Sequence, residues 1–412
     1  MTVTRNDCLA LDADDALASR RGLFSLPQGM IYLDGNSLGV LPRNVSARVT
    51  AAVEQQWGET LIKSWNEHGW FHLAQRIGER LARLVGAEPG SVIVGDSISV
   101  NLFKILTSAL GQRRDRKIIL SDSGNFPSDL YVVQGLTEFL QDGHELKIVA
   151  PEEIAAAITS DVAVVMITEV DYRTARRHDM KAITKLAHEA GALMIWDLAH
   201  SAGAVPIDLA GCGADFAVGC TYKYLNGGPG APAFLYVRPG MQNLVQPALV
   251  GWWGHAQPFA FDLRFVPAGG IMRQQCGTQP ILSMTALDAA LDAWDGVDMA
   301  ELHSKAKALC QLLIDLVAQK CVSHGLKVAG PRDMNSRGSH VSFHHPEGYG
   351  VMQALIAHGV IGDFRAPDII RFGITPLYTS FADIWDAVGI LARILDEGLW
   401  NRPEFLAKKA VT

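Results

Sequence analysis

From about residue 90 to residue 240 the chain alternates short apolar runs with stretches whose apolar residues recur at helical spacing. The runs fall at 91–94, 117–120, 146–149, 162–168, 193–196, 216–219 and 233–237, each of a length that suits a buried strand. Strands alternating with helices predict crossover units and hence a largely parallel sheet of seven strands covered by helices. After a long helical pattern over 299–320 the rhythm changes: 326–329, 339–343 and 369–372 read as strands, and 350–358 and 381–399 as helices. That second rhythm predicts a smaller α+β domain at the C-terminal side. The first sixty or so residues are polar and turn-rich, and no internal repeat or low-complexity segment breaks the pattern.

Length supports the same division, because 412 residues exceed the range over which one hydrophobic core keeps growing. The expected layout is an N-terminal arm over 1–60, a large α/β domain over 61–295 and a small domain over 296–412. A hydrophobic content of 49% supplies material for both cores. The formal charge of −7 is small for this size and no basic run stands out, which argues against a nucleic-acid partner. No apolar stretch reaches the length of a membrane span, and Asp7, Asp12, Asp14 and Asp15 stand where a signal peptide would be basic and then apolar, so neither export nor membrane insertion is expected. Cys8, Cys212, Cys220, Cys276, Cys310 and Cys321 form no Cys-x-x-Cys pair; they read as reduced thiols of a cytoplasmic protein, with no metal site.

Candidate chemistry concentrates where apolar runs end. Phe216–Gly219 runs into Lys223 and then a glycine-rich turn, Tyr-Leu-Asn-Gly-Gly over 224–228. An amine held against the core is disfavoured as ammonium, which makes it a usable nucleophile toward a carbonyl. Taken singly, such a lysine is more often a surface residue capping a strand. One crossover unit upstream, however, the run 193–196 ends in Asp197, and in an open α/β sheet ligands bind just outside the carboxyl ends of the strands. Asp197 and Lys223 can therefore face one pocket, where a buried carboxylate requires a cationic or hydrogen-bonding partner such as a pyridinium nitrogen.

The spacing Asp197-x-x-His200 followed by Thr-Tyr-Lys-Tyr-Leu-Asn-Gly-Gly over 221–228 resembles pyridoxal-phosphate enzymes of the aspartate-aminotransferase fold (fold type I), and in particular the kynureninases of the class V group. The resemblance extends from near residue 30 to near residue 380. It is carried by Leu-Asp-Gly-Asn-Ser-Leu-Gly over 33–39, Ser-Val-Asn-Leu over 99–102, Asn-Phe-Pro-Ser-Asp over 125–129, Gly-Trp-Trp-Gly-His over 251–255 and Ile-Arg-Phe-Gly-Ile-Thr-Pro-Leu-Tyr over 370–378. It implies a homodimeric enzyme with shared active sites that uses pyridoxal 5'-phosphate, held as an aldimine on Lys223, to hydrolyse L-kynurenine to anthranilate and L-alanine. The N-terminal arm is implied to pack with the small domain.

The resemblance also implies residue roles. Ile98 and Ser99 open a helix and would bind the phosphate through a positive N-terminus; on its own that segment reads as an ordinary N-cap. Phe126 would lie against the pyridine face and Asp129 would support its nitrogen beside Asp197, although Asp129 read alone could simply cap a helix. Thr168 would meet the ring substituents, and His200 would contact the phenolate side or orient Asp197. Tyr222 would bond the phosphate and act as an acid, which requires its pKa to be lowered by cationic surroundings. Trp252 would reach the phosphate of a partner subunit, and Thr278 is implied to join the cofactor site. Arg371 offers a planar fork for the substrate's α-carboxylate, with Arg365 ranked second, and Ser37 joins the same substrate site. Trp65, Gly277 and Thr278 resemble positions that set a preference for kynurenine over its 3-hydroxy derivative; Trp65 reads equally as a core aromatic of the arm.

Two alternatives remain. A cysteine desulfurase of the same class needs a cysteine just past the carboxylate-binding arginine, and no cysteine follows Cys321. A non-catalytic ligand-binding protein of this fold would have no reason to keep Asp197, Tyr222, Lys223 and Arg371 together. A nicotinamide dehydrogenase is excluded because no Gly-x-Gly-x-x-Gly follows a strand.

Overall fold

The computed structural model describes residues 3–408. Seven strands build its main sheet: β1 (Val92–Val94), β2 (Ile118–Asp122), β3 (Glu145–Val149), β4 (Val162–Thr168), β5 (Leu193–Asp197), β6 (Phe216–Gly219) and β7 (Phe234–Val237). Their spatial order is β1-β7-β6-β5-β4-β2-β3. The pairs from β3 across to β6 are parallel, and only β7, at its contacts with β6 and β1, runs antiparallel. β4, β5, β6 and β7 are buried at every position. This is why the sequence shows them as unbroken apolar runs without alternation. The helices Leu73–Leu84, Ile98–Gln112 and Met180–Glu189 contribute buried apolar faces to the same core.

A second hydrophobic core gathers around a four-stranded antiparallel sheet: β8 (Lys327–Ala329), β9 (His340–His344), β10 (Asp363–Arg365) and β11 (Ile369–Gly373), in the order β10-β11-β9-β8. Three helices cover it, Met299–Lys320, Gly348–Ala357 and Phe381–Asp396. The predicted helix over 299–320 matches to the residue. β10 is absent from the sequence reading, because Asp-Phe-Arg flanked by Gly362 and Pro367 carries no strand period. Among the described residues no helix is long and apolar enough to cross a membrane.

The arm is more ordered than its polar composition suggests. Arg5–Ala13 forms a helix whose Thr4 and Asp7 cap each other, and Cys8 on its inner face joins the second core. Asp12 then caps the helix Phe381–Asp396, its carboxylate accepting the N–H groups of Phe381 at 2.7 Å and Ala382 at 3.0 Å. The helix Arg43–Ala51 packs the other way: Val45 clusters with Ala289 and Ala290, and the Arg48 guanidinium meets Asp288 at 3.1 Å. Between the two helices, Leu33 is stitched to the small sheet by Leu33 N–H to Ile361 O and Gly373 N–H to Leu33 O, both 2.7 Å. Arm residues contribute to both cores, Leu17, Phe24 and Val40 to the first and Cys8 and Leu33 to the second.

Candidate active site

Because β4, β5 and β6 run parallel in adjacent positions, their carboxyl ends share one edge. Thr168, the last residue of β4, pairs in register with Asp197, the last residue of β5; Asp197 in turn pairs with Val218 of β6, and Lys223 stands in the turn just beyond the end of β6 at Gly219. A cavity of about 210 Å³ opens there, lined by Ile98, Ser99, Phe126, Asp129, Thr168, Asp197, His200, Tyr222 and Lys223, together with Tyr172 and Cys220. The sheet edge thus brings together most of the candidates named from sequence.

Lys223 is half-buried. Its Nζ lies 3.0 Å from His200 Nε2, 5.9 Å from the Phe126 ring centre and 5.8 Å from that of Tyr222. Its turn is held by the arm: Gly39 N–H donates to Tyr222 O at 2.8 Å, and a Cβ on Gly39 would collide with the Lys223 carbonyl and Asn226. Only glycine permits that approach. Asn226 adopts a positive φ of 60° and donates from Nδ2 to Val40 O at 2.9 Å, closing the turn on the same segment.

The acids under the lysine are short of partners. Asp197 is 2% exposed and its Oδ1 accepts the Ala199 N–H at 2.9 Å; burial pushes its pKa up to about 6 against the pull of Lys223. Asp129 is also 2% exposed, and its Oδ2 has no hydrogen-bond partner; burial and then the charge of Asp197 push its pKa well above the carboxylate range. His200 bonds Lys223 rather than Asp197, and its Nδ1 is unpartnered. Burial, then Lys223, hold it well below its ordinary value, so the ring is neutral. For Tyr222 the expected lowering is absent: burial pushes the phenol up, which keeps its proton on and makes it a donor.

Ile98 and Ser99 stand at the first turn of Ile98–Gln112, where the Ser97 side chain accepts the Val100 N–H at 3.4 Å. The first-turn N–H groups of a helix have no intrahelical acceptor, and both residues line the cavity. Phe126 is anchored from below by its own N–H on Asn125 Oδ1 at 2.8 Å, and its ring meets Tyr172 edge-on at 5.1 Å.

Arg371, on β11, is 1% exposed and lies beyond this lining. Its Nε donates to Asp363 Oδ1 at 2.8 Å, its Nη2 to Asp363 Oδ2 and to Ser37 Oγ (3.1 Å), and its Nη1 to the Tyr172 carbonyl. Arg365, more exposed, meets Asp363 Oδ2 at 2.6 Å. Trp65, Trp252, Gly277 and Thr278 do not line the cavity. They gather elsewhere: Trp65 and Trp252 both pack on Trp253, at 5.1 and 4.7 Å between ring centres, and Trp253 N–H donates to Cys276 O at 3.1 Å, just before the exposed Gly277 and Thr278. Sequence reasoning missed Tyr172, Cys220 and Asp363.

This fold is that of pyridoxal-phosphate enzymes of fold type I. A cysteine desulfurase from Thermococcus onnurineus NA1 superposes with a TM-score of 0.78 at 18% identity, covering 92% of this chain and 98% of its own. A cysteine desulfurase from Escherichia coli gives 0.78 at 17% identity, over 92% and 98%. Residues 302–391 match the model of the kynureninase C-terminal domain. A kynureninase from Pseudomonas fluorescens is 54% identical over 99% of this chain and 100% of its own length, and one from Burkholderia pseudomallei (strain 1106a) 52% over the same shares. The chain belongs to the kynureninase family, and the desulfurase likeness is one of fold.

Proposed function

We propose that the cavity at Lys223 hydrolyses L-kynurenine to anthranilate and L-alanine with pyridoxal 5'-phosphate. The observation that carries this reading is the unmet demand of the Asp129–Asp197 pair. Two buried carboxyl groups share one pocket, one oxygen has no partner, and both hold protons more tightly than free acids. A protonated ring nitrogen supplies the hydrogen bond and the positive charge they lack. The open first turn at Ile98 and Ser99 suits a phosphate, and Phe126 offers a face for a flat ring. The bound cofactor supplies an electron sink next to the substrate's Cα.

The chain's own residues do the rest. Lys223 anchors the cofactor and, once the substrate amine takes its place, its Nζ accepts and carries the Cα proton. Neutral His200, 3.0 Å away, steers that amine without competing for charge. Arg371 and Ser37 hold the α-carboxylate, and Thr168 meets the ring substituents. Water adds across the Cγ carbonyl, the hydrate releases a proton as the Cβ–Cγ bond breaks to leave anthranilate's carboxylate, and Tyr222 gives its proton toward Cβ and regains one from that release. Asp197 and Asp129 keep the ring nitrogen protonated throughout.

Further parts of the reading follow from residues outside the cavity. Trp65, Trp252, Gly277 and Thr278 share one surface and complete the site of a second copy, so the working form is a cytoplasmic homodimer with Trp252 and Thr278 reaching the partner's cofactor. The chain divides as 1–60, 61–295 and 296–412. Trp65 leaves a 3-hydroxyl without a partner at about 1 to 3 kcal/mol, so kynurenine is preferred about tenfold. Anthranilate and alanine released in equal amounts from L-kynurenine, dependent on added cofactor, test the activity; absence of either product refutes it. For the preference, Trp65→His, Gly277→Ser, Thr278→Asn combined should shift the specificity constant toward 3-hydroxykynurenine, and no shift would remove that role.

A further inference from the structure

Arg371 and Asp363 are both 1% exposed and stand directly opposite each other across β10 and β11. Their contact is therefore set by strand register. A guanidinium presents two edges that a carboxylate can meet with two hydrogen bonds: Nε with Nη2, and Nη1 with Nη2. Asp363 occupies the first, one oxygen on each nitrogen. The Asn36 amide, with its oxygen turned to the guanidinium, adds to that edge at 2.9 Å from Nε. The second edge faces only the Tyr172 carbonyl and the Ser37 hydroxyl, and Tyr172 lines the Lys223 cavity.

Asp363 also ties the neighbours. Ser37 Oγ donates to its Oδ2 at 2.7 Å, and Arg365 reaches the same oxygen at 2.6 Å. Although burial opposes it, the Arg371 charge holds the Asp363 carboxyl below its ordinary range, so it stays ionised. Asp34, pushed up to about 7 by burial and by Asp363, is largely neutral below that pH, leaving two guanidinium charges against one carboxylate. The motif over 33–39 is thereby explained as the shell of this cluster.

We propose that Asp363 is a positioning residue for substrate binding: it holds the Nε/Nη2 edge of Arg371 so that the Nη1/Nη2 edge, beside Ser37, receives the α-carboxylate of an amino-acid substrate. Arg365 balances the cluster and touches no substrate. This rests on the proposed activity at Lys223 and assigns the side of the guanidinium that the substrate reads.

The test compares wild type with Asp363→Asn and Asp363→Glu on two substrates, L-kynurenine and its α-carboxamide, with cofactor absorbance and thermal unfolding measured alongside. Loss of wild-type turnover of kynurenine would refute the activity itself and is read before any variant. In Asp363→Asn the expected result is a KM for kynurenine raised tenfold or more, with kcat changed less than threefold and the cofactor spectrum unaltered. The carboxamide should be nearly unaffected, so discrimination between the two substrates collapses. Asp363→Glu keeps the buried charge and displaces the fork by one methylene; it should show the same signature in smaller measure and decides the question if the amide variant does not fold. An unchanged KM, or equal losses on both substrates, overturns the proposal.

Discussion

Two sites are built around a basic side chain, Arg371 and Lys223, and they are finished to different degrees. Around Arg371 one edge of the guanidinium is held by Asp363, ionised below its ordinary range, and the other meets only a backbone carbonyl and the Ser37 hydroxyl. Around Lys223 the opposite holds: Asp129 Oδ2 and His200 Nδ1 have no partner, and Asp197 and Asp129 both resist ionisation. The difference teaches what each pocket is for. A site that only orients a small anion can be fully assembled in advance. A site built around a resident cofactor is left with the deficit that the cofactor fills, and an unfilled deficit inside a protein is costly enough to be informative.

The comparison can be broken at its deepest point first. Asp197→Asn removes the charge that keeps a ring nitrogen protonated while preserving shape, so kcat should fall by about a hundredfold, ~3 kcal/mol. An unchanged kcat would mean that the acids under Lys223 are structural. At the other site the effect should be smaller and of a different kind. Arg371→Lys keeps the charge but loses the planar fork, raising KM for kynurenine about tenfold with little change in cofactor spectrum. Arg365→Lys should do much less, and the reverse ranking would move the carboxylate to Arg365.

The smallest effect on turnover is expected at Asp34, where the change concerns stability. The Asp34 carboxyl rises from 3.8 to about 7 on folding, so its ionisation opposes the fold. That penalty is absent below pH 3.8, grows as pH rises through the interval, and is complete above 7. Asp34→Asn should therefore be more stable than wild type at pH 8 by up to about 4 kcal/mol, with the gain vanishing near pH 4. Unfolding curves at the two pH values check the sign; a gain that is the same at both would contradict it.

How much of this was legible in the sequence depends on how local the cause is. The central strands of the main sheet announce themselves because both faces are buried, leaving 162–168 and 216–219 as unbroken apolar runs whose ends match the structure. Lys223 and Asp197 were legible because strand ends in a parallel sheet share an edge. The arm's helices were not, since Thr4, Asp7 and Asp12 act as caps that a composition reading registers only as polarity. Asp363 and Tyr172 were invisible for another reason: each acts through a contact made far along the chain, a register pair on β11 for Asp363 and a backbone carbonyl to Arg371 for Tyr172. The lowering that an acid role for Tyr222 requires is not met in the fold, because burial, and then Cys220 and Asp197, push its phenol up. Trp65, Trp252, Gly277 and Thr278 were legible as motif positions, yet one chain does not carry them to Lys223.

The most direct test is the activity of Lys223→Ala beside wild type, each saturated with pyridoxal 5'-phosphate and given L-kynurenine. Anthranilate formation should fall on the order of a thousandfold or more while the unfolding temperature is retained. A folded Lys223→Ala protein that releases anthranilate at a rate near wild type, with no amine added, would contradict the assignment of the cavity.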